Sequence, residues 1–308
     1  MRLGVLDVGS NTVHLLLVDA HYGAAPIPAS KLKISLRLAE HLADGRISEE
    51  AISELVEFTA RSQQLAEDKG ATEVMGFATS AIRDATNGDE IIDRVRQRTG
   101  QEIMVLSGED EARLTYLAAR RWFGWSSGRI VVVDIGGGSL ELASGTEEEP
   151  DVAISLPLGA GRMNRMFLGE DPPTADSVRE LRRHCRAAIA EVVGRVRRFG
   201  PPSLAVATSK TLKQLARIGG AAASSEGDYV RRTLRLDQLT DIVPRLAEMT
   251  AAERSRIPGV SEGRSVQMVA GGIVAEAAME LLDLDELAVC PWALREGVIL
   301  RRLDGLPR

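Results

Sequence analysis

The sequence predicts an α/β protein of two related domains, and three observations carry that prediction. A strand-turn-strand pattern occurs twice, as LGVLDVGSNTVHLLLVD over Leu3–Asp19 and RIVVVDIGGGSLELASG over Arg129–Gly145. Asp7 and Asp134 stand 127 positions apart, and the same ungapped offset pairs Gly9 with Gly136, Ser10 with Gly137, Asn11 with Gly138 and Thr12 with Ser139. Strand-like and helix-like stretches alternate between and after the two copies, as in α/β domains. At 308 residues the chain also exceeds a usual single core, which favours two domains.

In each copy an apolar, β-branched run ends in Asp-x-Gly, passes three small residues and returns, which describes a hairpin with a tight turn. After the first copy, Tyr22–Ser30 reads as a Pro/Ala loop and Lys31–Ala39 alternates like a strand. Ser48, followed by Glu49 and Glu50, opens a helix whose apolar side is Ile52, Leu55, Val56, Thr59 and Leu65. Glu73–Ala78 is a strand. Ser80 is placed to cap a helix that continues through Ile91, Ile92 and Val95, and Ile103–Leu106 is a further strand. Ser107 begins a helix with Asp110 in capping position, running to about Trp122, and WFGWSSGR reads as the crossing into the second domain.

Beyond the second hairpin, 176–199 is a long helix with the stripe Val178, Leu181, Cys185, Ile189, Val192, Val196 and Phe199. Leu204–Thr208 is a strand and Thr211–Ile218 a helix. Gly219–Gly227 (GGAAASSEG) is the most linker-like segment. Val266–Leu282 contains Gly271-Gly272 before an Ala-rich helix, and ALREGVILRRL forms the final helix.

Hydrophobic content of 44% and charged content of 27% are those of a soluble globular protein. The two cysteines, Cys185 and Cys290, form no CxxC, which fits a reducing compartment and argues against a thiol-bound metal. Asp7 and Asn11 interrupt the first apolar run, so the N-terminus lacks signal-peptide logic, and no run reaches membrane-spanning length. The expectation is a cytoplasmic protein with no membrane and no nucleic-acid partner. There is no Walker A loop and no GxGxxG fingerprint.

Small residues in both turns let a ligand approach the backbone, and successive N–H groups make a concavity suited to phosphate. The candidate phosphate-binding residues are Gly9, Ser10, Asn11 and Thr12 from one copy and Gly136, Gly137, Gly138 and Ser139 from the other. Asp7 and Asp134, each ending a strand, are the candidates for holding a divalent cation, with Glu141 a weaker third. Their structural alternative is an aspartate that only fixes its turn. The net charge of −6 requires basic residues to cluster near any polyanion site.

The paired Asp-x-Gly hairpins resemble phosphate loops one and two of the acetate kinase, sugar kinase, Hsp70 and actin superfamily. DVGSNTVHLL and DIGGGSLEL narrow the resemblance to the exopolyphosphatase and guanosine pentaphosphate phosphohydrolase (Ppx/GppA) family, joined by FATSAIRDA, SGEDEARL, SLPLGAGR and WALREGVIL in the expected order. The resemblance implies two ribonuclease H-like domains with an interdomain active-site cleft: residues 1–121, residues 122–292, and a C-terminal helix over 293–308 that returns to the first. It implies a short form without a C-terminal His-Asp domain, hence a shorter channel and poor processivity. The histidines His14, His21, His41 and His184 are none of them followed by Asp.

By resemblance, Glu111 is the general base and Arg83 the guanidinium that meets the terminal phosphate. The structural alternatives are a carboxylate complementing a helix N-terminus and a solvated arginine. Lys210 stands where the family commonly has a glycine, in ATSKT over Ala207–Thr211, and is a phosphate-binding candidate. Arg162, Arg165, Lys213 and Arg264 are further basic residues in or near matched blocks. The leading expectation is a Mg²⁺-dependent exopolyphosphatase that acts on inorganic polyphosphate, by resemblance a homodimer. Hydrolysis of guanosine pentaphosphate (pppGpp) is the nearest alternative, with Gly271-Gly272 as the place to seek a base pocket. Phosphotransfer and a non-catalytic polyphosphate or alarmone sensor are the alternatives of other classes.

Overall fold

The computed structural model describes residues 1–21 and 23–305, and the chain divides into two compact units, Met1–Leu114 with Leu294–Arg308, and Thr115–Ala293. In the first unit, β1 (Arg2–Val8) and β2 (Val13–Asp19) form the expected hairpin, in a register that sets Asp7 opposite His14. Strand β3 (Ile27–Ile34) extends it as an edge, so the stretch expected to be a loop up to Ser30 enters the sheet at Ile27, and the expected strand ends at Ile34. Pro28 is accommodated there because an edge strand at a register shift loses no essential ladder bond. Tyr22 lies outside the described residues.

A small ribbon of β4 (Leu42–Ala43) and β5 (Arg46–Ile47) leads to α1 (Glu49–Asp68), whose Ser48 cap accepts from the Ala51 N–H. Strand β6 (Glu73–Ala78) lies parallel to β1. The helix expected from Ser80 onward is two helices, α2 (Ser80–Arg83) and α3 (Gly88–Thr99), and Ser80 is the first residue of α2 rather than its cap. The break has a cause in the Asn87 amide, which accepts from the Ile47 N–H and donates to the Ile47 carbonyl, both at 3.0 Å, binding β5 as a neighbouring strand would. Strand β7 (Ile103–Val105) and α4 (Gly108–Phe123) follow, with Ser107 Oγ accepting from the Asp110 N–H at 3.1 Å.

The sheet order is β3-β2-β1-β6-β7. Leu6, Val8 and Leu15 pack on α1 and α3, while Leu3, Val5 and Leu16 pack on the other face, and burial on both faces is why these strands read as continuous apolar runs.

The second unit repeats this order. β8 (Ile130–Ile135), β9 (Leu140–Gly145) and β10 (Val152–Leu156) form an antiparallel meander followed by α5 (Ala160–Phe167) and α6 (Ala175–Arg197). Then come β11 (Leu204–Ala207), α7 (Lys210–Ile218), β12 (Thr233–Arg235), α8 (Leu236–Ala247), α9 (Ala251–Arg254), α10 (Glu262–Ser265), α11 (Met268–Leu282) and β13 (Glu286–Val289). The order β10-β9-β8-β11-β13-β12 matches the first sheet with one strand added at an edge. The GGAAASSEG segment is tied down, since Arg232 donates to the Ala222 and Ala223 carbonyls and Arg217 to that of Ala221. Gly271 and Gly272 sit inside α11, where an added Cβ would come within 2.6 Å of Thr211 and 2.7 Å of Val243. They serve helix packing, not a loop open to a nucleoside.

The last helix, α12 (Leu294–Asp304), belongs to the first unit, where Ile299 and Leu303 pack with Leu3 and Val5. Gly297 lets it approach α4 closely, since a Cβ there would lie 2.0 Å from the Leu114 carbonyl oxygen.

Candidate active site

The two hairpin turns close with the same bond. Gly9 N–H donates to the Thr12 carbonyl at 3.1 Å, and Gly136 N–H to the Ser139 carbonyl at 2.9 Å. Among the described residues the N–H groups of Ser10, Asn11, Thr12, Gly137, Gly138 and Ser139 meet no hydrogen-bond acceptor, as an anion-binding turn requires.

In the first unit, α2 connects the loop to the candidate base. At its start, Ser80 Oγ and Ser10 Oγ are 2.9 Å apart and buried. At its end, Arg83 Nη1 donates to the Leu106 carbonyl at 3.0 Å and to Glu111 Oε2 at 3.3 Å, with the side chains 23% and 14% exposed. Arg83 Nε also lies 3.5 Å from Asp84. Glu111 projects from the first turn of α4, held by the Ser107 cap. Asp7, at the end of β1, faces Arg295 of α12, whose Nε is 3.5 Å from Asp7 Oδ2 and whose Nη1 is bonded to His14 Nδ1. Asp7, Arg83 and Glu111 thus share one unit with loop 9–12.

In the second unit, the N-terminus of α5 buttresses the loop, as Ala160 N–H donates to the Gly136 carbonyl at 2.9 Å and Arg162 N–H to that of Gly137 at 3.0 Å. Gly159 makes this possible, because a Cβ there would sit 2.3 Å from the Gly138 and Ser139 backbone. Asp134 accepts a short hydrogen bond from Thr208 Oγ1. Burial pushes its carboxyl above the ordinary value, opposed by the Thr208 bond and by the charges of Lys213 and Arg264. Burial likewise lowers the Arg264 guanidinium, which donates to Thr211 Oγ1 at 3.3 Å. Lys213 Nζ donates to the Pro291 carbonyl at 2.9 Å, and Lys210 is exposed at the first position of α7. Glu141, opposite Asp134 across the hairpin, is 2% exposed and accepts from Ser155 Oγ at 2.9 Å.

The family model that describes the Ppx/GppA phosphatases matches residues 17–306. The chain belongs to the Ppx/GppA phosphatase family. It is 52% identical over 306 residues to Exopolyphosphatase 1 of Mycobacterium bovis, covering 99% of this chain and 89% of that protein. It is 50% identical to Exopolyphosphatase 1 of Mycobacterium leprae, covering 99% and 90%. A Ppx/GppA family member from Aquifex aeolicus superposes with a TM-score of 0.83 at 26% identity, covering 100% of this chain and 99% of that one. An exopolyphosphatase from Cytophaga hutchinsonii shares the fold with a TM-score of 0.89 at 24% identity, covering 100% and 99%.

In this Ppx/GppA phosphatase no group of three His, Cys, Asp or Glu side chains among the described residues could hold a metal ion. The donor set fits a hard cation that keeps water and takes phosphate oxygens, not an ion caged by protein. Asp7, with a side chain 22% exposed, is the candidate carboxylate of the first unit and Asp134 that of the second, while Glu141 is more enclosed than either.

Two residues that sequence reasoning passed over, Thr208 and Arg295, touch the candidate aspartates. Arg295 left one legible sign. It occupies the first turn of α12, where the helix dipole disfavours a cation, so something else holds it there. Lys210 carries the same sign at α7.

Proposed function

We propose that this Ppx/GppA phosphatase is an exopolyphosphatase whose hydrolytic groups lie in the first unit. Glu111 takes a proton from a water as its oxygen attacks the terminal phosphorus in line. The bridging P–O bond breaks, the shortened chain departs as the leaving group, and the water oxygen ends in orthophosphate. Arg83 meets the terminal phosphoryl oxygens, where a guanidinium fork stabilises developing charge. The turn N–H groups of Ser10 to Thr12 and Gly137 to Ser139, with Lys210, hold phosphates of the chain.

The observation that carries this reading is the connection made by α2, which is bonded to loop 9–12 through Ser80 and to Glu111 through Arg83. A divalent cation, Mg²⁺ by resemblance, would neutralise phosphate charge, and Asp7 in the first unit and Asp134 in the second are the carboxylates suited to hold such an ion. A homodimer rests on the same resemblance, and a cytoplasmic location on the cysteine usage and the first apolar run of the sequence. Among the described residues no helix is long and apolar enough to cross a membrane.

The test is orthophosphate release by purified protein with Mg²⁺ from short polyphosphate, long polyphosphate and guanosine pentaphosphate in parallel. Preferential release from polyphosphate is expected, with intermediates accumulating on long chains. Preference for the guanosine nucleotide would move the chain to the alarmone branch of the family, and no release from any of the three would refute the hydrolase reading.

A further inference from the structure

Asp7 and His14 are cross-strand partners, and one arginine from the far end of the sequence touches both. A guanidinium can only donate, so in this contact His14 Nδ1 is the acceptor. Arg295 is fixed from behind. Gly297 presses α12 onto the Leu114 carbonyl, and Ile299 and Leu303 anchor the helix in the core. The Arg295 and Asp7 side chains are 31% and 22% exposed, so the contact is partly shielded from water. A fixed positive charge therefore already stands beside the carboxylate to which the proposed function gives a divalent cation, and the two compete for it. The second hairpin is built otherwise, since Asp134 is held by a neutral hydroxyl, Thr208.

We propose that Arg295 is a positioning residue that keeps Asp7 charge-compensated in the free protein, so that a divalent cation binds there weakly until a phosphate chain, whose negative charge draws the guanidinium away, binds with it. His14 steadies the other arm of the guanidinium. The proposal rests on reading Asp7 as a cation-holding residue.

The experiment is Mn²⁺ binding to the ligand-free protein, followed by the paramagnetic signal of the unbound ion, for wild type, Arg295→Gln, Arg295→Lys and the double variant Arg295→Gln with Asp7→Asn. Arg295→Gln is expected to bind Mn²⁺ about tenfold more tightly than wild type, as removal of a nearby competing charge predicts. Arg295→Lys, which retains the charge, should stay near wild type, and Asp7→Asn should erase the gain. A gain in affinity is not what a damaged fold produces. If Arg295→Gln binds no more tightly than wild type, or if the gain survives Asp7→Asn, the proposal is overturned. Whether Asp7 holds the ion at all is read separately, from the Mg²⁺ concentration that half-activates phosphate release. Asp7→Asn raises it if Asp7 holds the ion and leaves it unchanged if not.

Discussion

The two hairpins share a closing bond, a register and a strand order, yet different elements support them. In the first, Asp7 lies opposite His14 and is faced by a guanidinium, and its loop is tied by a pair of hydroxyls. In the second, Asp134 lies opposite Glu141 and is held by Thr208, and its loop rests on the backbone of α5. The repeat supplies a turn that can receive phosphate. What each turn does is decided by the residues that neighbouring elements bring, and the first unit brings the Arg83–Glu111 pair from α2 and α4.

The largest effect that separates the two loops is expected from Gly159→Ala. Its Cβ would meet backbone atoms rather than a flexible side chain, so loop 136–139 must move. A stability loss of about 1–3 kcal/mol and a collapse of phosphate release should follow, measured by thermal melting and by the release assay. Ser80→Ala breaks only the hydroxyl pair under loop 9–12 and is expected to cost about 1 kcal/mol with a partial loss of rate. Equal losses for the two variants would show that the loops are supported alike.

The aspartates should differ in sign. Because burial raises the Asp134 pKa above its ordinary 3.8, its charge opposes folding at neutral pH. Its favourable contribution holds below the unfolded value and is lost as pH rises through the folded one. Asp134→Asn should therefore raise the melting temperature of the ligand-free protein at neutral pH while removing activity. Asp7→Asn should give no such gain, because the Asp7 carboxylate already faces Arg295. Melting curves from acid to neutral pH check both, and a higher melting temperature for both variants would erase the distinction.

The sequence revealed what local patterns determine. The hairpins, β6 and the Ser48 cap of α1 follow from apolar runs, turn residues and capping chemistry, which act over a few positions. It did not reveal what depends on distant partners. Pro28 looked like a loop residue because an edge strand tolerates it, and the break before α3 came from Asn87 binding β5, forty positions back in the chain. The roles of Arg295 and Thr208 were hidden for the same reason, since Thr208 meets Asp134 through the pairing of β11 with β8 and Arg295 meets Asp7 through the packing of α12 on β1. Arg83 and Glu111, 28 positions apart, were singled out by resemblance, and the fold joins them in an ion pair.

The central claim, that Glu111 is the base and not merely a helix-start carboxylate, is tested most directly by Glu111→Gln. Orthophosphate release from polyphosphate should fall by about 10²–10⁴-fold, the usual contribution of a general base, while polyphosphate affinity stays close to wild type. Release at the wild-type rate would contradict the account.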